Sequence, residues 1–453
     1  MAGKAVQLDP VRGRARIDVL DVMRGIAILG ILYMNIPFMA TNPAAWMDDI
    51  RRLSWSAADR ATWTTIEVFW NGTQRGLFEF LFGAGVMVFT AKAMRPDDPV
   101  AVADLYYRRN LLLVAFGLID IFLVAWIGDI LLAYGLSALF LFPFRKAPAK
   151  VLLAMGMGFA AFVAVSGASE YSKRIEMIHK VESLEARQTQ GAKLNGADKK
   201  ILADWQEKRE AHDLSKPPSK KAQAMIDAER KAHVAGPWAF LKNNWGVWNK
   251  IFGDGNGTFF TVLEAVCAMF IGMALWKWGV IQGERSVRFY AVTAVAAYGL
   301  GCGLRAWGVA EIFAFDLAPK PGWITDEFAR LAVTLGHVAL FNLAMKTGAG
   351  RSLLAPFKAV GRMAFSIYVL TSVVTLWFIF APWGLNLWDR FGWAQLALAA
   401  TVINVFMLVF ANVWMRFFVS GPLEWVWRSL AYGKRQPFAR RPAEPSMGTL
   451  APA

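Results

Sequence analysis

The chain has 453 residues, 56% of them hydrophobic and only 18% charged, with 20 Trp and 33 Phe. A soluble globular protein of this length carries more charge, and the long apolar runs set the class as a polytopic membrane protein. The formal net charge of +15 suggests nucleic acid, but the basic residues lie mostly between hydrophobic runs; a positive-inside bias plus a surface loop accounts for them, and no nucleic-acid partner is expected.

A basic start (Arg12, Arg14, Arg16) leads into residues 17–39, IDVLDVMRGIAILGILYMNIPFM, long enough to cross a bilayer as a helix. This run is too long for a cleavable signal and lacks a small-residue cleavage site, so it is expected to be a retained first span. Asp21, Arg24 and Asn35 fall on one helical face with Ile28 and Ile31. Charge in a membrane helix is costly unless it faces protein or water, so this stripe should turn into a bundle. A polar stretch with several Trp follows (42–73), expected to be partly helical at the outer surface. Spans two to five are placed at 76–93, 108–127, 130–144 and 151–167, with a tight turn at Gly128–Asp129 and a basic, Pro-broken turn at 145–150.

From 169 to 256 both charge signs are mixed, and the spacing of Ile175, Ile178, Val181 and Leu184 predicts an amphipathic helix. Two further helices are expected near 202–211 and 222–234, separated by Pro217–Pro218. His179, His212 and His233 lie here and read as surface residues; no metal site is expected. Trp238, Trp245 and Trp248 mark the return to the interface. Five more spans follow, at 259–278, 289–309, 328–345, 363–380 and 396–418. Cys267 and Cys302 fall inside apolar runs and read as buried free thiols.

The expected fold is therefore all-α, a polytopic membrane helix bundle of about ten transmembrane helices with a helical, charged extracytoplasmic insertion. Residues 1–168 form the first part of the bundle, 169–256 the insertion, 257–433 the second part with an interfacial helix, and 434–453 a basic cytoplasmic tail. The basic short turns (92–95, 145–150, 283–288, 346–351) and the tail at 434–441 fall on the side of the N-terminus, which puts both termini in the cytoplasm.

The motifs DVMRGIAILGILYMN, FLFGAG (80–85), GDILLAYG (128–135), GRMAFSIYVL (361–370) and GPLEWVWRSLAYGKRQP (421–437) resemble the YeiB-like family, domain of unknown function 418, and cover nearly all spans. That family is similar to a wider superfamily of transmembrane acyltransferases. The resemblance implies a bacterial inner-membrane protein that moves an acyl group from cytoplasmic acyl-CoA to a lipid, saccharide or small-molecule acceptor, with no tightly bound cofactor. The family commonly has a His in its third span where this chain has Asp120. A base would then be Asp120, Asp129 or His337.

Each candidate has a plainer reading beside it. Arg24–Gly25 and Gly361–Arg362 combine glycine backbone with guanidinium, which suits a phosphate or carboxylate; a structural Asp21–Arg24 pair is the alternative. Tyr368, in the same motif as Arg362, and Arg428 are grouped with the donor-binding candidates. Asn35, Asp21 and Glu79 are the acceptor-binding candidates, although Glu79 also fits an ion pair with Arg75. Asp129 suits a helix cap, whereas Asp120 lies too deep in its span for that. His337 reads equally as a packing histidine. Arg108 and Arg109 read as interfacial anchors, Glu264 and Arg305 as an interhelical pair, and Gly299, Gly301 and Gly303 as packing positions. Glu424 and Arg428 sit on an interfacial helix after Pro422 that could close the cytoplasmic mouth. Intramembrane charges also suit a transporter or exporter, and a non-catalytic scaffold that binds a partner through 169–256 is the third option. Among partners only the bilayer is certain; the oligomeric state is left open, a homodimer being one option.

Overall fold

The computed structural model describes residues 17–91, 100–254 and 256–440. Arg12, Arg14, Arg16, Lys92, Arg95, Arg441 and the tail beyond 440 lie outside those residues. In chain order the helices are α1 (Asp18–Ala40), α2 (Pro43–Trp46), α3 (Ala57–Phe69), α4 (Thr73–Thr90), α5 (Val100–Ile119), α6 (Leu131–Leu141), α7 (Ala149–Gly156), α8 (Gly158–Thr189), α9 (Gly196–Ala211), α10 (Lys220–Val234), α11 (Pro237–Trp248), α12 (Gly257–Lys277), α13 (Val287–Ile312), α14 (Gly322–Met345), α15 (Gly348–Leu354), α16 (Phe357–Arg362), α17 (Ala364–Val373), α18 (Trp393–Phe417) and α19 (Pro422–Tyr432). Among the described residues the sole extended pairing is an isolated bridge between Phe418 and Ala439. The chain is an all-α membrane bundle.

Six helices are long and apolar enough to cross a membrane by length and composition: α1, the α7–α8 unit, α12, α13, α14 and α18. The other four expected spans are helices in the expected places that miss this measure. α6 and α17 have 11 and 10 residues, α4 carries Gln74, Arg75 and Glu79, and α5 carries Asp104, Arg108 and Arg109. Six of the about ten expected spans meet that criterion among the described residues. The polar helices sit against their neighbours inside the bundle, where length and hydropathy are relaxed.

α1 is the axis. Of its apolar window 67% is buried, against 17% for α13 and 33% for α18, which turn apolar faces outward. The predicted stripe does face protein: Asp21, Ile28 and Ile31 are buried, and Arg24 and Asn35 are half-buried. Gly25 and Gly361 meet where α1 crosses α16, and neither leaves room for a Cβ against the opposing backbone. On the other flank, Asn404 of α18 donates to the Leu29 carbonyl at 3.0 Å.

Successive spans reverse, so the bundle has two ends. The α19 end holds the start of α1, the 145–149 and 278–286 turns, α15 and α16. The α3 end holds 41–72, the 120–130 turn and 380–392. The insertion packs at the α3 end: Arg51 and Arg52 donate to carbonyls of His212, Lys216 and Ala211 at 2.7–3.0 Å, and His233 stacks on Trp388 at 4.0 Å.

The insertion is not a separate appendage. α8 runs without a break across the expected boundary at 168/169, from the bundle to Thr189, burying Val181 and Leu184. α9 and α10 are capped by Asn195 and Ser219. Asp49, held by Arg51 at 2.6 Å, anchors the same surface. Burial raises its carboxyl pKa, but the hydrogen bonds from Arg51 and His212 outweigh that and hold it below the usual range. Both cysteines are free. Of the four glycines of α13, only Gly301 packs closely, against α14; Gly299, Gly303 and Gly308 face open space.

Candidate functional site: an arginine-lined cavity and a buried ion network

Between α1, α4, α5, α6, α17 and α19, toward the α19 end, lies a cavity of about 240 Å³. Four guanidinium residues line it, Arg24, Arg109, Arg362 and Arg428, with a single carboxylate, Glu424. Glu424 is engaged with protein: it accepts from the backbone amides of Phe365 at 2.8 Å and Ser366 at 3.2 Å, and from the Ser366 hydroxyl at 2.5 Å. α19 is set by Pro422 in its first turn and a left-handed Gly433 after its end. It presents Glu424, Trp427 and Arg428 to the cavity, while the Trp427 indole donates to the Arg109 carbonyl at 2.8 Å. The rest of the wall is largely apolar and aromatic, with Ile28, Phe78, Phe82, Phe89, Leu113 and Tyr134 among its residues.

The structure thus gathers Arg24, Arg362, Tyr368 and Arg428 around one space. Arg24 also makes the Asp21 ion pair at 3.1 Å, so the structural pair is present while the residue lines the cavity. Gly25 does not line the space; it serves the α1–α16 crossing. Arg109 corrects the sequence reading. It is not an interfacial anchor: its guanidinium lies over the rings of Phe89 (4.8 Å) and Trp427 (4.5 Å). A signal existed, because adjacent helical residues point about 100° apart. Arg108 is the outward one, 49% exposed and paired with Asp104.

Tyr368 leads to the two aspartates. Its hydroxyl accepts from the Trp126 indole at 3.0 Å and the Ile130 amide at 3.1 Å, and donates to Asp129 at 3.5 Å. Asp129 caps α6 through the Leu132 amide at 2.7 Å. Asp120 begins a single π-helical turn, Asp120–Val124, that ends α5. Its side chain is 1% exposed, and neither oxygen meets a hydrogen-bond donor. The neighbouring acidic group is the Asp129 carboxyl. Two such carboxyls can hydrogen-bond to each other only with a proton between them.

Toward the α3 end is a second buried polar centre that the sequence did not assemble. Arg330 of α14 donates to both oxygens of Glu327 (2.8 and 2.7 Å) and reaches Glu264 at 3.0 Å and Glu79 at 3.3 Å. Arg75 pairs with Glu264 and, at 3.6 Å, with Glu79. The expected Arg75–Glu79 pair is present, within a five-membered network. The expected Glu264–Arg305 pair is not: Arg305 donates to the Glu67 carbonyl at 2.7 Å and lies 3.9 Å from Asp326. Tyr134 joins the two centres, since it lines the cavity while its hydroxyl lies 3.4 Å from Glu79.

His337 lies near this network, away from the cavity. Its Nδ1 faces the Tyr298 hydroxyl at 2.6 Å, and its Nε2 lies 3.1–3.3 Å from the Phe69 carbonyl, Thr73 and Gln74. Both ring nitrogens are engaged in packing contacts. Asn35 is half-buried and does not line the cavity. Among the described residues no group of three metal-ligating side chains comes together.

Comparison with known proteins agrees with this arrangement of motifs. The chain is 28% identical to "Uncharacterized protein YxaH" of Bacillus subtilis (strain 168) over 96% of its own length and 98% of that protein's. It is 26% identical to "Uncharacterized protein YeiB" of Escherichia coli (strain K12), covering 91% and 95% of the two chains. No solved structure matches it. A family profile described as "Protein of unknown function (DUF418)" matches residues 275–434, which hold Arg330, Arg362, Tyr368 and Glu424. With end-to-end relatives and the profile over its second half, the chain belongs to the YeiB-like DUF418 family.

Proposed function

We propose that this protein is an acyltransferase of the bacterial cytoplasmic membrane, with both termini in the cytoplasm and the cavity opening at that face. The observation that carries the reading is the convergence of four guanidiniums on one cavity, whose single lining carboxylate is engaged by backbone amides, with Asp21 paired to Arg24 beside it. Guanidinium clusters of this kind recognise phosphate or carboxylate. At about 240 Å³ the space falls below the ~300–1,000 Å³ of pockets that enclose a whole drug-sized ligand. It suits the reacting part of a larger donor such as acyl-CoA, whose remainder stays in the cytoplasm.

In this reading the arginines hold donor phosphate and the apolar wall receives the acyl group. Tyr368, which lines the cavity, reaches Asp129; Asp129 and Asp120 lie behind the lining, and Tyr368 links them to the space. The acceptor oxygen or nitrogen bonds the acyl carbon and the carbon–sulfur bond breaks. The acceptor's proton passes to the aspartate pair and from there to the departing sulfur, which leaves as coenzyme A thiol. Asp120, with no competing donor, is the better-placed base. His337, occupied at both nitrogens, takes no part.

The test is direct. The full chain purified into lipid nanodiscs should bind acyl-CoA, and Arg362→Gln should weaken that binding while leaving the fold intact. No binding by the wild-type protein would reject the donor. A second reading, a transporter or exporter, is favoured by the ion network that meets the same cavity through Tyr134. Flux of a solute without any acylated product would select it.

A further inference from the structure

The FLFGAG motif of α4 contains two glycines with opposite surroundings. At Gly83 a Cβ would run into the Met269 backbone of α12, so this glycine serves helix packing. Gly85, two residues on, lines the cavity, and a Cβ there would meet no atom within 4 Å. α4 is ordinary helix at this point, so neither close packing nor backbone conformation calls for glycine at 85. What the missing side chain leaves is room in the cavity, whose lining also includes Phe82, Phe89, Leu113 and the arginines.

We propose that the apolar pocket beside Gly85 is a hydrocarbon subsite, and that Gly85 sets the length of chain the cavity accepts. The ligand class is then an anion with an aliphatic chain of several carbons, in preference to an acetyl donor. The anionic group lies on the guanidiniums, and the chain runs along the aromatic wall of α4. This deepens the acyl-donor reading and rests on it for the identity of the head group.

The experiment measures binding of coenzyme A, acetyl-CoA, butanoyl-CoA and octanoyl-CoA to the full chain in nanodiscs, with octyl phosphate as a probe independent of coenzyme A. Wild type should bind octanoyl-CoA at least tenfold more tightly than acetyl-CoA. Gly85→Leu should abolish that gain and leave coenzyme A affinity within twofold. Gly85→Ala, which removes less space, should shift the optimum toward butanoyl-CoA. A flat dependence on chain length in wild type overturns the subsite, as does a Gly85→Leu protein that keeps the octanoyl preference. If no thioester binds but octyl phosphate does, and Gly85→Leu weakens it tenfold, the subsite stands and the coenzyme A donor falls. If neither probe binds, both fall. A folded control, judged by the same melting temperature as wild type, separates occlusion from misfolding.

Discussion

The bundle buries two sets of charges and treats them in opposite ways. Around Arg330, two guanidiniums meet three carboxylates, through pairs within α4 and α14 and pairs that cross between α4, α12 and α14. Around the cavity, four guanidiniums and one carboxylate line open space, and Asp21 pairs with Arg24 at its edge. The first arrangement closes on itself and ties α4, α12 and α14 together. The second leaves positive potential facing a void, which is what a site for an anion needs. Burial of charge alone does not mark function; the balance of sign and the space left over separate the two.

That contrast can be broken first at the network. Arg330→Ala leaves three buried glutamates with only Arg75 to compensate, and removing one partner of a buried pair costs ~3–5 kcal/mol. The expected outcome is a large fall in melting temperature, or failure to accumulate in the membrane. A melting temperature near wild type would mean that the network is dispensable. At the cavity the expectation reverses. Arg362→Gln and Arg428→Gln should change stability little but reduce affinity for an anionic probe by ~1.5–3 kcal/mol each, measured by titration of the folded protein.

A carboxyl outside the bundle calibrates these effects. Asp59 closes a capping box at the start of α3. Burial raises its pKa, but donors from the Ala394 amide, Ser54 and Ser56 outweigh that and hold it at about 2. Its folded value is depressed, so its contribution is complete above the unfolded pKa near 4 and is lost as pH falls toward about 2. The loss should be ~1–2 kcal/mol after allowance for screening, read as a falling unfolding midpoint over that window; Asp59→Asn should abolish the slope. Glu229, on α10 of the insertion, runs the other way. Burial and the nearby Asp389 push it up to about 8, so its contribution is lost as pH rises from its unfolded value through about 8. Protection factors in α10, corrected for the intrinsic base-catalysed exchange rate, should then fall toward alkaline pH, and in Glu229→Gln they should not.

The smallest stability effect belongs to Asp120. Because its oxygens meet no donor, Asp120→Asn should leave the melting temperature within ~1 kcal/mol of wild type or raise it. A base role requires that this stable variant lose acyl transfer. A large destabilisation would instead make Asp120 a structural residue.

The sequence carried the architecture well, because apolar periodicity and basic turns act locally. Helix positions, the inward stripe of α1, the cap by Asp129 and the lodging of 169–256 at the end shared with 42–73 were all legible. So was the convergence of Arg24, Arg362, Tyr368 and Arg428, through motifs far apart in the chain. What was not legible depends on which helix faces which. Glu264 has three candidate arginines, and only packing of α4 and α14 on α12 selects Arg75 and Arg330 over Arg305. Arg109 was hidden by its neighbour Arg108, since a pair of arginines at a span boundary looks like anchoring until one is seen to turn inward. Gly85 was hidden inside a motif whose other glycine does the packing.

α8 has a mechanical consequence. It is one helix of 32 residues, roughly 48 Å at 1.5 Å per residue, rooted in the bundle and ending among the charged helices of the insertion. Behind it, α7 ends at Gly156 and α8 begins at Gly158, a break in an otherwise continuous rod. A stiff rod with a joint near one end is a lever. Any object that pushes or pulls the far tip near Thr189 applies torque at that joint, amplified by the length of the arm, to the layer where Gly156 packs on Cys267 and Ile271 of α12. The insertion is therefore tied to the helix that carries Glu264, and load on one is felt by the other.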